Sequence, residues 1–223
     1  MAIRLLPFRQ YAEEDVVNLF ASAHANQKVD DTGDGDAGVF VKVSAGDFGA
    51  DPIQYENNSY LGKTDYPFIG RDQYPVVPLK VEAATAGASC VGITLLQTAL
   101  KDENDEKLLY YPQKKLETQS VLTGEAVPVL GKGIVTLSHT AFHGGSIPAV
   151  GNYINVGATN GKAGDAGAAM PTGTAAAVQV VGQVLATGQR VNRGVSDDQF
   201  AGASVGTGAA GSNGKYAVVR INC

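Results

Sequence analysis

The chain has 223 residues and a formal net charge of −5 at pH 7, and aromatic residues make up only 7% of it. Its 17 Lys and Arg residues are scattered, which argues against nucleic-acid binding, because contact with phosphates needs clustered basic side chains. The length suits one large β domain, or a domain with an appendage, and suffices to bury a core made mostly of aliphatic side chains.

The first residues do not resemble a membrane or export segment. Arg4 and Pro7 interrupt the short apolar run that begins at Met1, and no stretch reaches 18 uninterrupted apolar residues. We therefore expect a soluble protein, made in a cytoplasm and without a membrane partner. Two cysteines are too few for a disulfide framework. We expect Cys90 to be a buried small hydrophobe, whereas Cys223 could be exposed.

Residues 1–29 are interpreted as an N-terminal arm. Val16, Leu19, Phe20 and Ala23 have helical spacing, and three acidic residues precede them where a first turn favours negative charge, so one short amphipathic helix is expected. The apolar face could cap the β core, or the arm could dock onto a neighbouring subunit. The residues that would make such a contact are Ile3, Leu5, Leu6, Phe8, Tyr11, Val17 and Phe20.

Two acidic stretches are candidate calcium loops. Residues 30–38 hold four carboxylates and three glycines, but the spacing departs from an EF-hand and the bidentate Glu is missing, so a solvated turn is favoured and calcium stays open. Residues 102–106 lie between two apolar runs and predict a hairpin tip. That stretch lacks the central Gly of a calcium loop and offers its acids no environment that would separate their pKa values.

The long stretch 44–75 predicts an interaction loop, because a connection of this length without strands is uncommon. Its aromatic side chains could plug the open end of a barrel or anchor a partner. The contact candidates there are Tyr55, Tyr60, Tyr66, Phe68 and Tyr74.

Short runs rich in β-branched and aromatic residues predict strands at 39–43, 76–81, 91–96, 107–111, 126–130 and 133–137. Residues 30–147 would form the β core. Further runs at 148–156, 178–186 and 215–221 would form a C-terminal β segment, 148–223, packed with the core or folded as a second small domain. Asn160-Gly161 signals a hairpin turn, and the Gly/Ala-rich spans 157–177 and 201–214 are expected to be surface loops. The predicted fold is mainly β: an antiparallel β-sandwich or β-barrel with long Gly-rich loops, an N-terminal arm and at most one short helix.

No pattern in the chain indicates catalysis, a cofactor or a metal. His139 and His143 have a spacing that suits a metal only on a helix, whereas here they follow a predicted strand and precede two glycines. The chain has no Gly-x-Ser-x-Gly elbow, dinucleotide fingerprint or phosphate loop. We therefore expect no catalytic, cofactor or metal residues, and a structural function.

Several motifs resemble those of tailed-bacteriophage capsid decoration proteins, also called cement or head-fibre proteins. The C-terminal ones are Pro148-Ala-Val-Gly-Asn-Tyr-Ile-Asn-Val, Asn160-Gly-Lys, Val180-Val-Gly-Gln-Val-Leu and Tyr216-Ala-Val-Val-Arg-Ile-Asn. The stretch 124–137 is similar to a recurrent hairpin of that family. The opening, Tyr11 to Ala21, is similar to the start of virion structural proteins of phages that infect cyanobacteria. The Ala/Gly-rich span 157–177 departs from the pattern.

The resemblance implies a β module that is added to the exterior of a capsid and bridges major capsid protein subunits, often as an oligomer (a trimer or dimer), without cofactors or nucleic-acid partners. The arm hypothesis adds that deletion of residues 1–20 should leave a folded protein that no longer binds shells. Two other hypotheses stay open: a tail-fibre or receptor-binding module that recognises host glycan through Tyr-bearing loops, and a virion glycan hydrolase that uses an acidic pair.

Overall fold

Strands dominate the computed structural model, which describes residues 4–21, 33–44, 80–122, 125–171, 179–189 and 214–223. The strands are β1 Leu5–Gln10, β2 Val16–Ala21, β3 Phe40–Ser44, β4 Lys80–Ala83, β5 Gly92–Thr94, β6 Gln97–Thr98, β7 Ser120–Val121, β8 Ala126–Leu130, β9 Lys132–Ser138, β10 Tyr153–Val156, β11 Ala163–Gly167, β12 Val180–Gln189 and β13 Lys215–Asn222. Within these described residues, the helical elements are α1, Pro112–Glu117, and 3₁₀ turns at Glu13–Asp15, Leu108–Tyr110, His139–Ala141 and His143–Gly145.

Five strands close into a barrel in the order β2-β4-β3-β5-β8. All of its pairs are antiparallel except β2 with β4, which run parallel where Phe20 lies opposite Lys80. Alternate side chains of a strand point to opposite faces, and one set points into the barrel. These inward side chains form one apolar cluster, which includes Leu19, Val41, Val81, Val127 and Val129.

Six strands form an antiparallel sheet in the order β1-β9-β13-β12-β10-β11. One long pairing in it joins β9 with β13 and runs from Ser138 opposite Tyr216 to Lys132 opposite Asn222. Every second residue of β13 is buried: Ala217, Val219 and Ile221. This period of two shows that one face of the sheet is covered.

The barrel covers that face. The largest apolar cluster joins Phe40, Ile93 and Leu130 of the barrel to the inward residues of the sheet, such as Leu137 and Val219. Phe40 and Leu130 neighbour barrel-interior residues in sequence, so strands β3 and β8 bury side chains on both faces. The two layers therefore share one core.

The turn between β10 and β11 also fastens the sheet to the barrel. Gly161 donates its N–H to the carbonyl of Ala84 (2.8 Å) and accepts a hydrogen bond from the N–H of Phe40 (3.0 Å). Its φ of +67° is one that glycine adopts readily. An added Cβ would also overlap Cγ1 of Val39. The glycine of the predicted Asn160-Gly161 turn is thus required by both conformation and space.

The predicted fold class, a mainly β protein with antiparallel sheets and a barrel, is confirmed. Strands lie within or across the predicted runs at 39–43, 91–96, 126–130, 133–137, 148–156, 178–186 and 215–221. Of the run 76–81, residues 76–79 lie outside the described part of the chain. The predicted turns at 102–106 and 160–161 are also confirmed, since Lys101 pairs with Lys107 across the first and β10 pairs with β11 around the second.

Three local predictions are wrong. The helix expected near residues 11–23 is instead a 3₁₀ turn followed by β2, because Val16–Ala21 pairs with β8 and with β4. The run 107–111 contains a 3₁₀ turn that leads into α1. Pro112 is the first residue of α1, which is the helix position where proline is best tolerated. The Gly/Ala-rich span 157–177 contributes strand β11, which pairs with β10 at the sheet edge.

Strands from all three predicted segments meet in the six-stranded sheet. Strand β1 comes from segment 1–29, β9 from segment 30–147, and β10 to β13 from segment 148–223. Strand β2, also from the first segment, closes the barrel. Residues 4–21 are therefore an integral part of both layers.

Candidate functional site

The predicted contact residues of the first segment are divided between core and surface. Leu5 and Leu6 are each only 5% exposed, so they are core residues and are unavailable to a partner. Four candidates are exposed: Phe8, Tyr11, Val17 and Phe20. Ile3 and the loop candidates Tyr55, Tyr60, Tyr66, Phe68 and Tyr74 lie outside the described residues.

The four exposed candidates do not present one common face. Val17 and Phe20 are three positions apart on β2, so the pleat directs them to opposite sides of the strand. Phe8 lies on β1, an edge strand of the six-stranded sheet, beside Pro7 and Arg9. Proline, charge and a register shift on this strand are features that protect an edge from pairing with another strand. Contacts here would be made by side chains.

Deletion of residues 1–20 is no longer expected to leave a folded protein. It would remove β1, whose Leu5 pairs with Leu137, and nearly all of β2, whose Val16 pairs with Leu130. Both layers would lose a strand, so point substitutions of exposed residues are the appropriate test of a contact.

A second exposed apolar group, which the sequence analysis missed, lies in residues 108–117, here called the 108–117 segment. Its exposed members are Leu109, Tyr110, Tyr111 and Leu116. Tyr110 is 69% exposed and Leu116 is 75% exposed, the highest values among the exposed large hydrophobic residues described. The signal in the sequence was Tyr110-Tyr-Pro: proline at residue 112 favours the start of a helix over the continuation of a strand.

The 108–117 segment is anchored by one buried side chain. Leu108 is fully buried against Ala99 and Leu122, and its N–H donates to the carbonyl of Leu100 (3.1 Å). The neighbouring strands β6 and β7 pair in parallel and hold the flanks of the segment together.

Ion pairs fix the helical half of the segment. The Lys114 ammonium donates to Oδ2 of Asp102 (2.7 Å) and to Oε1 of Glu103 (2.8 Å), and Lys115 pairs with Glu125. The hydrogen bond to Asp102 raises the pKa of Lys114, and the same bond lowers the pKa of Asp102. Asp102 also accepts from the N–H groups of Asn104 and Glu106, each at 2.8 Å. The acidic tip therefore holds α1 in place while apolar side chains face solvent.

In the other acidic stretch, residues 33–38 form turns, as predicted, but Asp36 is not solvated. Asp36 is buried, and its Oδ2 lies 3.0 Å from Nε of Arg4, which is also buried. Burial raises the pKa of Asp36, and burial lowers the pKa of Arg4. Asp36 is thus neither a solvated turn residue nor free to bind calcium. Asp30 and Asp31 lie outside the described residues.

His139, His143 and the two cysteines are separate from these groups. Nδ1 of His143 is 2.7 Å from the Thr159 hydroxyl, and burial lowers the pKa of His139. Within the described ranges, no group of three His, Cys, Asp or Glu side chains could hold a metal ion. Cys90 is buried, as predicted, and Cys223 is exposed.

No protein-family model, curated protein sequence or solved structure matches the chain. Among the helices that the structure describes, none is long and apolar enough to cross a membrane.

Proposed function

We propose that the chain is a virion structural protein that decorates the outer surface of a phage capsid and stabilises the shell by bridging major capsid protein subunits. It would act as a homo-oligomer, a trimer or a dimer. The resemblance of its motifs to those of decoration proteins supports this function. Exposed apolar side chains on its surface offer a physical way to bind the shell.

The observation that carries the proposal is the 108–117 segment. Leu109, Tyr110, Tyr111 and Leu116 are exposed on a backbone held by buried Leu108 and by the Lys114 and Lys115 ion pairs. Aromatic side chains presented by a rigid frame are effective anchors, because little conformational entropy is lost when they are buried. All four side chains lie within residues 109–116, and a concentration of exposed apolar side chains supports a protein–protein contact.

Bridging requires contacts from more than one part of a molecule. Phe8 and Tyr11 are exposed at the edge of the six-stranded sheet, and the 108–117 segment belongs to the β6–β7 region. These two groups lie on different elements of one shared-core fold. Each would bind a different shell subunit, and the second contact would benefit from the effective concentration that the first creates.

The proposal is tested by sedimentation of the protein with capsid shells that lack it. We expect the double variant Tyr110→Ser, Leu116→Ser to bind at least about tenfold more weakly, since loss of two anchors costs more than about 1.4 kcal/mol. Its matched control is Val150→Ser, Met170→Ser, which changes two residues of similar exposure away from the segment and should bind normally.

Thermal unfolding should show that both double variants fold like the original protein. Failure of the unsubstituted protein to bind shells would contradict the proposed function. Equal binding by the two double variants would leave the 108–117 segment without a role in docking.

The neighbouring tyrosines favour one second candidate, a tail-fibre or receptor-binding module. Tyr110 and Tyr111 offer apolar rings that carry hydroxyl groups, which suits contact with sugar. Binding to a glycan array, together with no binding to shells, would support this function over decoration.

A further inference from the structure

Two thiols lie in contact at the junction of the two layers. Cys90 precedes β5 of the barrel and Cys223 follows β13 of the sheet, and their Sγ atoms are 3.7 Å apart. Cys90 is buried, whereas Cys223 is exposed and open to reagents. The residues are 133 positions apart, so the fold alone brings them together.

Hydrogen bonds fix the backbone on both sides of the contact. The side-chain amide of Gln179 donates to the carbonyl of Cys90 (3.0 Å) and accepts from its N–H. The N–H of Cys223 donates to the carbonyl of Gly131 (3.0 Å). A disulfide has a sulfur–sulfur distance of about 2.05 Å, so the two sulfurs must approach by about 1.7 Å when the bond forms.

The contact also divides the chemistry between the two thiols. The Cys223 S–H donates to the Cys90 sulfur, which lowers the pKa of Cys90 and raises the pKa of Cys223. The thiolate is the attacking species in disulfide exchange. Because its sulfur lies 3.7 Å from the Cys223 sulfur, Cys90 is positioned to attack Cys223 within the protein, while exposed Cys223 is the position that a reagent can reach.

We propose that Cys90 and Cys223 close into an intramolecular disulfide that fastens the barrel to the six-stranded sheet. The oxidant is a small-molecule disulfide such as oxidised glutathione. Cys223 first loses its proton to solvent, and its thiolate attacks one sulfur of the reagent, which forms a mixed disulfide and releases one reagent thiolate. Cys90 then loses its proton to solvent, and its thiolate attacks the Cys223 sulfur and releases the second reagent thiolate. The two protein thiols together lose two electrons and two protons, and one reagent disulfide takes them up to become two thiols.

The inference does not depend on the proposed function. It requires only a change from a reducing to an oxidising environment, since glutathione and thioredoxin keep cytosolic thiols reduced. A cross-link between the layers would restrict the unfolded chain over a long loop and so stabilise the folded protein.

The test treats the full chain with oxidised glutathione, blocks remaining thiols and measures intact mass and peptides. We expect the loss of two hydrogen atoms in mass, a Cys90–Cys223 peptide and a rise in Tm of roughly 5–15 °C that dithiothreitol reverses. Cys223→Ser changes an exposed residue, so it should fold, keep the Cys90 thiol and show no rise in Tm. Cys90→Ala should instead retain glutathione at Cys223.

Three results would overturn the inference. One is a stable glutathione adduct on Cys223 in the unsubstituted protein with Cys90 still free. Another is a cross-link between two molecules, seen as a dimer on a non-reducing gel. The third is closure of the intramolecular bond without a change in Tm, which would show that it does not fasten the layers.

Discussion

At the scale of single residues, the buried ion pair between Arg4 and Asp36 joins the start of β1 to the loop before β3. The Arg4 carbonyl also accepts a hydrogen bond from the Ser138 N–H (2.8 Å), so the same residue contacts β9. Arg4 and Asp36 are only 4% and 5% exposed, and neither partner can regain water when the other is removed.

We predict that Asp36→Ala lowers the free energy of unfolding by about 3–5 kcal/mol, because it removes the closest negative partner of the buried Arg4 guanidinium. Urea unfolding measures the change. The double variant Arg4→Met, Asp36→Ala removes both charges and should be more stable than Asp36→Ala alone. If the double variant is less stable than Asp36→Ala, the stability lost in Asp36→Ala does not come from leaving the Arg4 charge buried without Asp36.

Asp102 gives the protein a specific response to acid. The hydrogen bond from Lys114 holds the pKa of Asp102 below its usual value in the folded state. An unfolded Asp titrates near about 3.9, so the stabilisation is fully present above that pH and is lost as pH falls through the lower folded pKa.

We therefore predict that Asp102→Asn is less stable than the original protein at neutral pH and that this difference shrinks below about pH 3. Urea midpoints at the two pH values measure it. A difference that stays constant with pH would assign the loss to shape or packing, and not to the charge of Asp102.

At the scale of elements, the turn between β10 and β11 positions the sheet edge against the barrel through Gly161. We predict that Gly161→Ala destabilises the protein by about 2–4 kcal/mol, from a positive φ and overlap with Val39 together. The matched control is Gly151→Ala: Gly151 has φ +89° but no heavy atom within 4 Å of an added Cβ.

Thermal or urea unfolding of the two variants separates conformation from contact. Gly151→Ala should show only the backbone cost, so the gap between the variants measures the close approach of the turn to Val39. Equal losses would mean that the turn can move away from the barrel without cost.

Elements with local, repeating patterns were predictable, and those fixed by distant partners were not. Strands β8 and β9 carry their apolar residues in one continuous stretch, so the sequence indicates both strands directly. They form no hairpin with each other, because β8 pairs with β2 in the barrel and β9 pairs with β13 in the six-stranded sheet. Val16–Ala21 satisfies helical spacing as well, and its pairing with β8 and β4 decided in favour of a strand. Strand β11 has almost no apolar side chains, so its pairing with β10 left no pattern to detect.

At the scale of the whole molecule, fold class followed from the number and spacing of short β-rich runs. The contact surface did not, because exposure depends on which side chains the folded chain covers. Leu5 and Leu6 resemble Phe8 in sequence, yet two are buried and one is 59% exposed. The Arg4–Asp36 and Cys90–Cys223 contacts join residues that no local pattern relates.

The position of β1 and β2 affects how the protein folds during its synthesis. These strands leave the ribosome early, but their antiparallel partners, β9 and β8, are translated only much later. Such non-local pairing slows folding, and unpaired strands are prone to aggregate in the meantime. The proline and arginine of β1 would then protect the nascent chain from aggregation. Slower translation would not help the first two strands to fold until residues near 138 have emerged.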